Sequence, residues 1–130
     1  MKNTMEEFKN ITKLIFKFDC LNGYYLLNAC FFDDKLTYKI ETTIAELDSK
    51  NGEIPADDFL KILASAEIDR WEKDYLPNGS KIEDATKWSL DLYTDDNHYL
   101  SKGEEGYWPY HYDEFIEALK LIDDEACYFK

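Results

Sequence analysis

Basic residues are in short supply: 15 lysines and arginines stand against 28 aspartates and glutamates, leaving a net charge of −13 and a pI of about 4.4. Such a balance disfavours nucleic acid and anionic membrane as partners, because both repel an acidic surface. No basic patch interleaved with aromatics interrupts it. Histidine is nearly missing, with only His98 and His111, and the three cysteines (Cys20, Cys30 and Cys127) form no C-x-x-C. No tetrahedral metal cluster is therefore spelled out, and an odd cysteine count argues against a disulfide framework. Cys20 and Cys30 lie in apolar runs where free thiols pack as small hydrophobes, as expected in a reducing cytoplasm. The five glycines are scattered and build no phosphate-cradling loop, and no nucleophile motif joins Ser or Cys to His. Apolar runs are too short to span a bilayer, and the polar stretch from Met1 to Asn10 lacks the apolar segment of a signal peptide. The expectation is a cytoplasmic chain without a catalytic residue, metal or cofactor.

Aromatic side chains are plentiful: ten Tyr, eight Phe and three Trp. A disordered acidic chain would be poor in them. With 130 residues, the chain matches one domain able to bury roughly two-thirds of its unfolded surface. The charge is uneven. Residues 1–65 carry 11 acids and 8 bases, whereas residues 66–130 carry 17 acids and 7 bases. An acidic face built from the second half is expected.

Periodicity divides the chain into a 1–10 arm and a single 11–130 domain. Leu14, Phe16 and Phe18 alternate with Lys13, Lys17 and Asp19, a half-buried strand. Leu21-Asn22-Gly23 turns the chain into Tyr24–Phe32, a run apolar on both faces and so placed inside the sheet. After Asp33-Asp34-Lys35, alternation from Leu36 to Ile44 completes an antiparallel meander. A polar loop is read from Asp48 to Glu53, then a helix with Pro55 in its first turn and Phe59, Ile62, Leu63 and Ala66 on one face. Residues Ile68–Leu76 fit either a strand or an extension of the helix, which would bring Trp71 and Tyr75 together, and are read as strand; Trp88–Leu92 and His98–Ser101 are strands, and Phe115, Ile116, Leu119 and Ile122 mark a final helix. The predicted class is α+β, an antiparallel sheet of about six strands with two helices. Phe31-Phe32-Asp33-Asp34 is echoed by Tyr93-Thr94-Asp95-Asp96, and Gly52-Glu53-Ile54-Pro55 by Gly106-Tyr107-Trp108-Pro109. These echoes suggest a duplicated strand-strand-strand-helix unit with both helices on one face.

Two segments invite a functional reading. Leu47–Asp58 resembles an EF-hand loop, with Gly52 at the sharp turn, but Leu47 and Asp58 stand where an acid and a bidentate Glu belong. Tight calcium binding is not expected. Gly103–Tyr112 packs Tyr107, Trp108, Tyr110 and Tyr112 into six residues beside Glu104 and Glu105. Tyr and Trp dominate binding hot spots, and surface loops often carry function. Tyr107 and Trp108 can equally fold back to cover one end of the core, whereas Tyr110 and Tyr112 are expected to be exposed. Asp95, Asp96, Glu104, Glu105, Tyr107, Trp108, Tyr110 and Tyr112 are the candidate partner contacts.

Trp71, Tyr75, Trp88-Ser89-Leu90, Gly103 and Tyr107-Trp108-Pro109 together resemble the pattern of a group of small bacterial and phage-borne proteins with no assigned function. The resemblance spans roughly residues 60–122. It departs at Ser101-Lys102-Gly103-Glu104-Glu105-Gly106, where the group has Ser-Gly-x-Asn, and it implies an α+β fold without an activity. Composition and loop together predict a non-enzymatic inhibitor of a basic protein: a nuclease or nucleic-acid-guided effector, in the manner of phage anti-defence (anti-CRISPR-like) proteins. A toxin-immunity protein fits the same physics with a toxin as partner. A ligand binder or enzyme using two facing carboxylates is the reading from another class. Monomer and homodimer are both open.

Overall fold

The computed structural model describes residues 11–21, 23–75, 87–104 and 107–129. The 1–10 arm and Glu105 lie outside them. In chain order come β1 (Ile11–Cys20), β2 (Gly23–Phe32), β3 (Lys35–Thr42), β4 (Lys50–Pro55), α1 (Asp57–Ala64), a 3-10 turn (Ile68–Arg70), β5 (Asp74–Tyr75), β6 (Lys87–Thr94), β7 (His98–Glu104), α2 (Tyr112–Leu119) and a last 3-10 turn (Ala126–Phe129). The strands form one sheet in the order β4-β3-β2-β1-β6-β7-β5, antiparallel except for the two-residue β5, which runs parallel to β7. The fold is α+β, as the alternating segments implied.

Alternation fixes which face is buried. Leu14, Phe16 and Phe18 of β1 lie opposite Ala29, Leu27 and Tyr25 of β2 and opposite Leu92, Leu90 and Trp88 of β6, and all nine are buried. Both helices cover this one face. Phe115 of α2 meets Phe16 with ring centroids 5.2 Å apart, and Phe59 of α1 meets Phe31, on the same side of β2, at 5.8 Å. Phe129 closes the core against Tyr25 at 4.5 Å and Phe16 at 5.5 Å. Each such ring removed from water contributes on the order of 1.5–3 kcal/mol.

The opposite face carries Lys13, Lys17, Lys39, Lys87 and Lys102 among Asp19, Glu41 and Asp91, with Lys17–Asp19 and Lys39–Glu41 paired at 3.5 and 3.1 Å. Charge is thus segregated. Among the described residues no helix lies on this face and its charges nearly balance, while further acids lie at the sheet's ends and around the helices.

The structure departs from the sequence reading at four places. The expected 48–53 loop is largely β4, an edge strand with Lys50, Gly52 and Ile54 half-buried and Asn51, Glu53 and Pro55 exposed. Pro55 therefore ends a strand, where its missing N–H costs little, instead of opening the helix. Extended backbone across 50–55 cannot wrap a cation, and Gly52 is packed so that a Cβ would lie 2.7 Å from the Tyr38 hydroxyl. The segment expected as a strand over Ile68–Leu76 is not continuous over its described residues, which end at Tyr75: Glu67 is left-handed at φ 50°, a 3-10 turn follows, and of these residues only Asp74 and Tyr75 pair. β2 lies inside the sheet as expected, but its even-numbered side chains face the uncovered side, leaving Phe32 85% exposed. Finally, the hairpins β2–β3 and β6–β7 correspond, but the other strands break the repeat: β1 pairs antiparallel with β2, whereas β5 pairs parallel with β7 at the far edge.

Candidate interaction surface

The aromatic loop leads from β7 into α2, and over residues 107–112 its side chains pass twice from exposed through half-buried to buried. The Tyr107 N–H donates to the Glu104 carbonyl at 3.0 Å, turning the chain back toward the core. Trp108 then stacks flat on Tyr112 (4.4 Å between centroids, 9° between planes) and lies 6.0 Å from Trp88. Gly103 admits the Trp88 ring, since a Cβ there would meet its Nε1 at 2.9 Å and the Tyr75 carbonyl at 2.7 Å. The Tyr112 N–H donates to the Pro109 carbonyl at 3.1 Å, and this turn throws Tyr110 outward. Tyr110 is 82% exposed and Tyr107 is 47% exposed.

Tyr112 corrects the expectation of exposure. It is buried, its hydroxyl donates to the Phe129 carbonyl at 2.8 Å, and burial together with the nearby Asp113 charge pushes its pKa well up. The reason is helical spacing: Tyr112 stands three and four residues before Phe115 and Ile116, on the same stripe. Glu104 is buried as well, so neither Glu104 nor Tyr112 presents its side chain to a partner. Trp108 is half-buried and ties the loop to the core through Trp88 and Tyr112.

His111 links this loop to the rest of the molecule. It sits left-handed at φ 65° just before α2, which has no side-chain cap and carries Asp113 and Glu114 in its first turn. Its Nε2 lies 3.0 Å from Glu67 Oε2, its Nδ1 lies 3.4 Å from Glu114 Oε1, and Tyr110 meets its ring edge-to-face at 4.5 Å. Trp108, Tyr110, His111, Asp113 and Glu114 line an open pocket of about 540 Å³. Sequence reading missed Glu67 and Glu114, whose place here depends on the two helix ends meeting.

Asp95 and Asp96 are exposed, but at the tip of the β6–β7 hairpin, the far end of β7 from the aromatic loop. A seven-residue strand separates the two places by roughly 20 Å. At that far end they share the sheet's edge with Asp33 and Asp34 of the β2–β3 turn, both left-handed (φ 54° and 62°). Asp57 and Asp58 adjoin them, because the Ala56 N–H donates to the Asp34 carbonyl at 2.9 Å. The acids expected on one face therefore form two groups, an aspartate-rich pole and the loop end.

A third group is closed upon itself. Asp123, 1% exposed, accepts the Tyr25 hydroxyl at 2.8 Å, the Lys50 ammonium at 3.0 Å and the Glu125 N–H at 3.0 Å. Lys50 also lies 3.7 Å from Asp124 and 3.5 Å from Glu125. Ligand oxygens of the three acids lie within 4.8 Å of one another, the spacing of a cation site, and Lys50 supplies the cation. Burial, then the Asp123 charge and hydrogen bond, then Glu125, drive the Tyr25 pKa far up. Partial burial pulls Lys50 down, but the Asp123 hydrogen bond and the surrounding carboxylates outweigh it, and its pKa rises.

No protein-family model matches the chain, and no curated protein matches it in sequence. Among the described residues, no helix is long and apolar enough to cross a membrane.

Proposed function

We propose that this chain is a non-enzymatic binding protein that engages a basic protein partner through the aromatic loop and the acids at the start of α2. One observation carries the reading: Tyr107 and Tyr110 project into solvent from a loop braced on Trp88 and Tyr112, and Tyr110 lines one pocket with Asp113 and Glu114. Exposed rings on a rigid base lose little entropy on binding and supply large contact area. A net charge of −13 steers a cationic partner and speeds encounter. The partner class is a protein with a cationic functional surface, such as a nuclease, a nucleic-acid-guided effector or a toxin, and covering that surface inhibits it.

The test is a pull-down with the tagged chain over a salt series. The wild-type bait is expected to retain a basic protein at low salt and release it at high salt, and a Tyr107→Ala/Tyr110→Ala bait to lose it throughout. Equal retention by both baits would remove the loop from the account.

A further inference from the structure

We propose that His111 is a proton-dependent latch on the aromatic loop: as imidazolium it ties the loop to Glu67, just before the first 3-10 turn, and on losing its proton it lets the loop go. The latch's part in recognition rests on the binding reading above.

A histidine ring has two nitrogens, and here each faces a carboxylate. Nε2 lies 3.0 Å from Glu67 Oε2, and Nδ1 lies 3.4 Å from Glu114 Oε1. Neutral imidazole carries one N–H and one lone pair, so either tautomer turns a lone pair toward a carboxylate oxygen. Only the imidazolium suits both contacts at once. His98 gives the contrast within the same chain. Its Nε2 meets a single carboxylate, Asp91, at 2.7 Å, and a neutral tautomer can keep that contact.

The groups around His111 decide which contact breaks. Asp113 and Glu114 come from α2, Glu67 and Arg70 from the first 3-10 turn, and Tyr110 packs edge-to-face on the ring at 4.5 Å. Arg70 lies 3.5 Å from the other oxygen of Glu67, so Glu67 keeps a counter-charge when His111 is neutral. Glu114 has no second ion pair among the described residues. The carboxylates of Glu67 and Glu114 then repel across an uncharged ring. Both ends of the latch are also strained. Glu67 and His111 are left-handed at φ 50° and 65°, conformations that non-glycine residues hold only where their surroundings fix them. Lysine or arginine at this place would be a permanent staple. Histidine is the side chain whose charge changes near neutrality. Latched, the loop presents the exposed Tyr110 in one posture. Released, it must be ordered at the moment of binding.

The experiment follows the isotope-labelled full chain by NMR from about pH 5.5 to about pH 8.5, reading the ring nitrogens of both histidines and the amide proton–nitrogen NOE of residues 107–111. In wild type these NOEs should be those of rigid backbone at the acid end and should drop as the His111 ring, not the His98 ring, loses its proton. His111→Asn tolerates a left-handed backbone but has no titrating ring, and should show the lowered values throughout. Glu67→Gln and Glu114→Gln keep the histidine and should each flatten the change. Captured partner should leave wild type faster at the alkaline end, by a ratio about threefold larger than in His111→Asn. NOEs that stay high through the His111 titration, or that fall equally in His111→Asn, would overturn the latch and leave the binding reading to the pull-down. A drop that follows His111 in a chain that captures no partner would support the latch and remove only the binding reading.

Discussion

Asp123 and Asp113 are carboxylates just beyond and just within the two ends of the same helix. Asp123 is buried and accepts hydrogen bonds from Tyr25, Lys50 and the Glu125 backbone. Asp113 is exposed, has no ion pair among the described residues, and stands beside a ring that is 82% exposed. Neighbouring residues in the sequence do not explain the difference, since both sites are runs of acids. What separates them is where the cations fall: β4 delivers Lys50 to Asp123, whereas at the other end Arg70 and His111 meet Glu67 and Glu114 and leave Asp113 with no ion pair among the described residues. Where the fold supplies the counter-charge, acids hold structure together. Where it does not, they remain available to a partner.

The largest effect is expected from Asp123→Ala. Asp123→Ala leaves the buried Tyr25 hydroxyl without its acceptor and takes away the shortest of the three carboxylate contacts of Lys50, and a loss of about 3 kcal/mol in urea unfolding should follow. A loss below about 1 kcal/mol would mean that the closed group is no more structural than the open one.

Tyr25→Phe keeps the ring packing on Phe129 and deletes only the hydroxyl that donates to Asp123, so a loss of about 1.5–3 kcal/mol is expected. The same variant tests the pH dependence. Tyr25 and Lys50 are both raised above their ordinary values of 10.0 and 10.5, so the unfolded chain releases these protons first. Their contribution is complete below about pH 10 and is lost as pH climbs above it. Thermal unfolding midpoints measured from pH 8 to 11 should fall above pH 10, and fall less steeply in Tyr25→Phe.

At the open end the order reverses. Tyr110→Ala should leave stability within about 0.5 kcal/mol, as for other exposed positions, yet sharply reduce partner capture. The smallest effect belongs to Asp95→Asn/Asp96→Asn, roughly 20 Å from the loop. It should leave stability and the dissociation rate unchanged and only slow association slightly, through the lost long-range charge.

Much of this architecture was legible. β1, β3, β6 and the two helices announce themselves because one face of each is apolar and the other is not. β4 escaped because an edge strand needs few apolar residues: only Ile54 faces inward with a large hydrophobic side chain. β5 is two residues long, too short for any period to register. The burial of Tyr112 was readable, since it extends the Phe115–Leu119 stripe back by one turn, but a cluster of loop tyrosines drew attention away from helical spacing. The exposure of Phe32 was readable too, as the even-numbered side of β2. Long-range pairings were not. Nothing local to Glu67 places it 3.0 Å from His111, and nothing local to Lys50 places it at Asp123, because both depend on how the helices lie across the sheet.

The most direct test of recognition by charge and exposed rings is the association rate of the purified captured partner across ionic strength, for wild type and Tyr110→Ala. The on-rate should fall steeply with salt and be nearly the same for both proteins, while the off-rate rises in Tyr110→Ala. An on-rate indifferent to salt, with an off-rate unmoved by loss of the ring, would contradict the account.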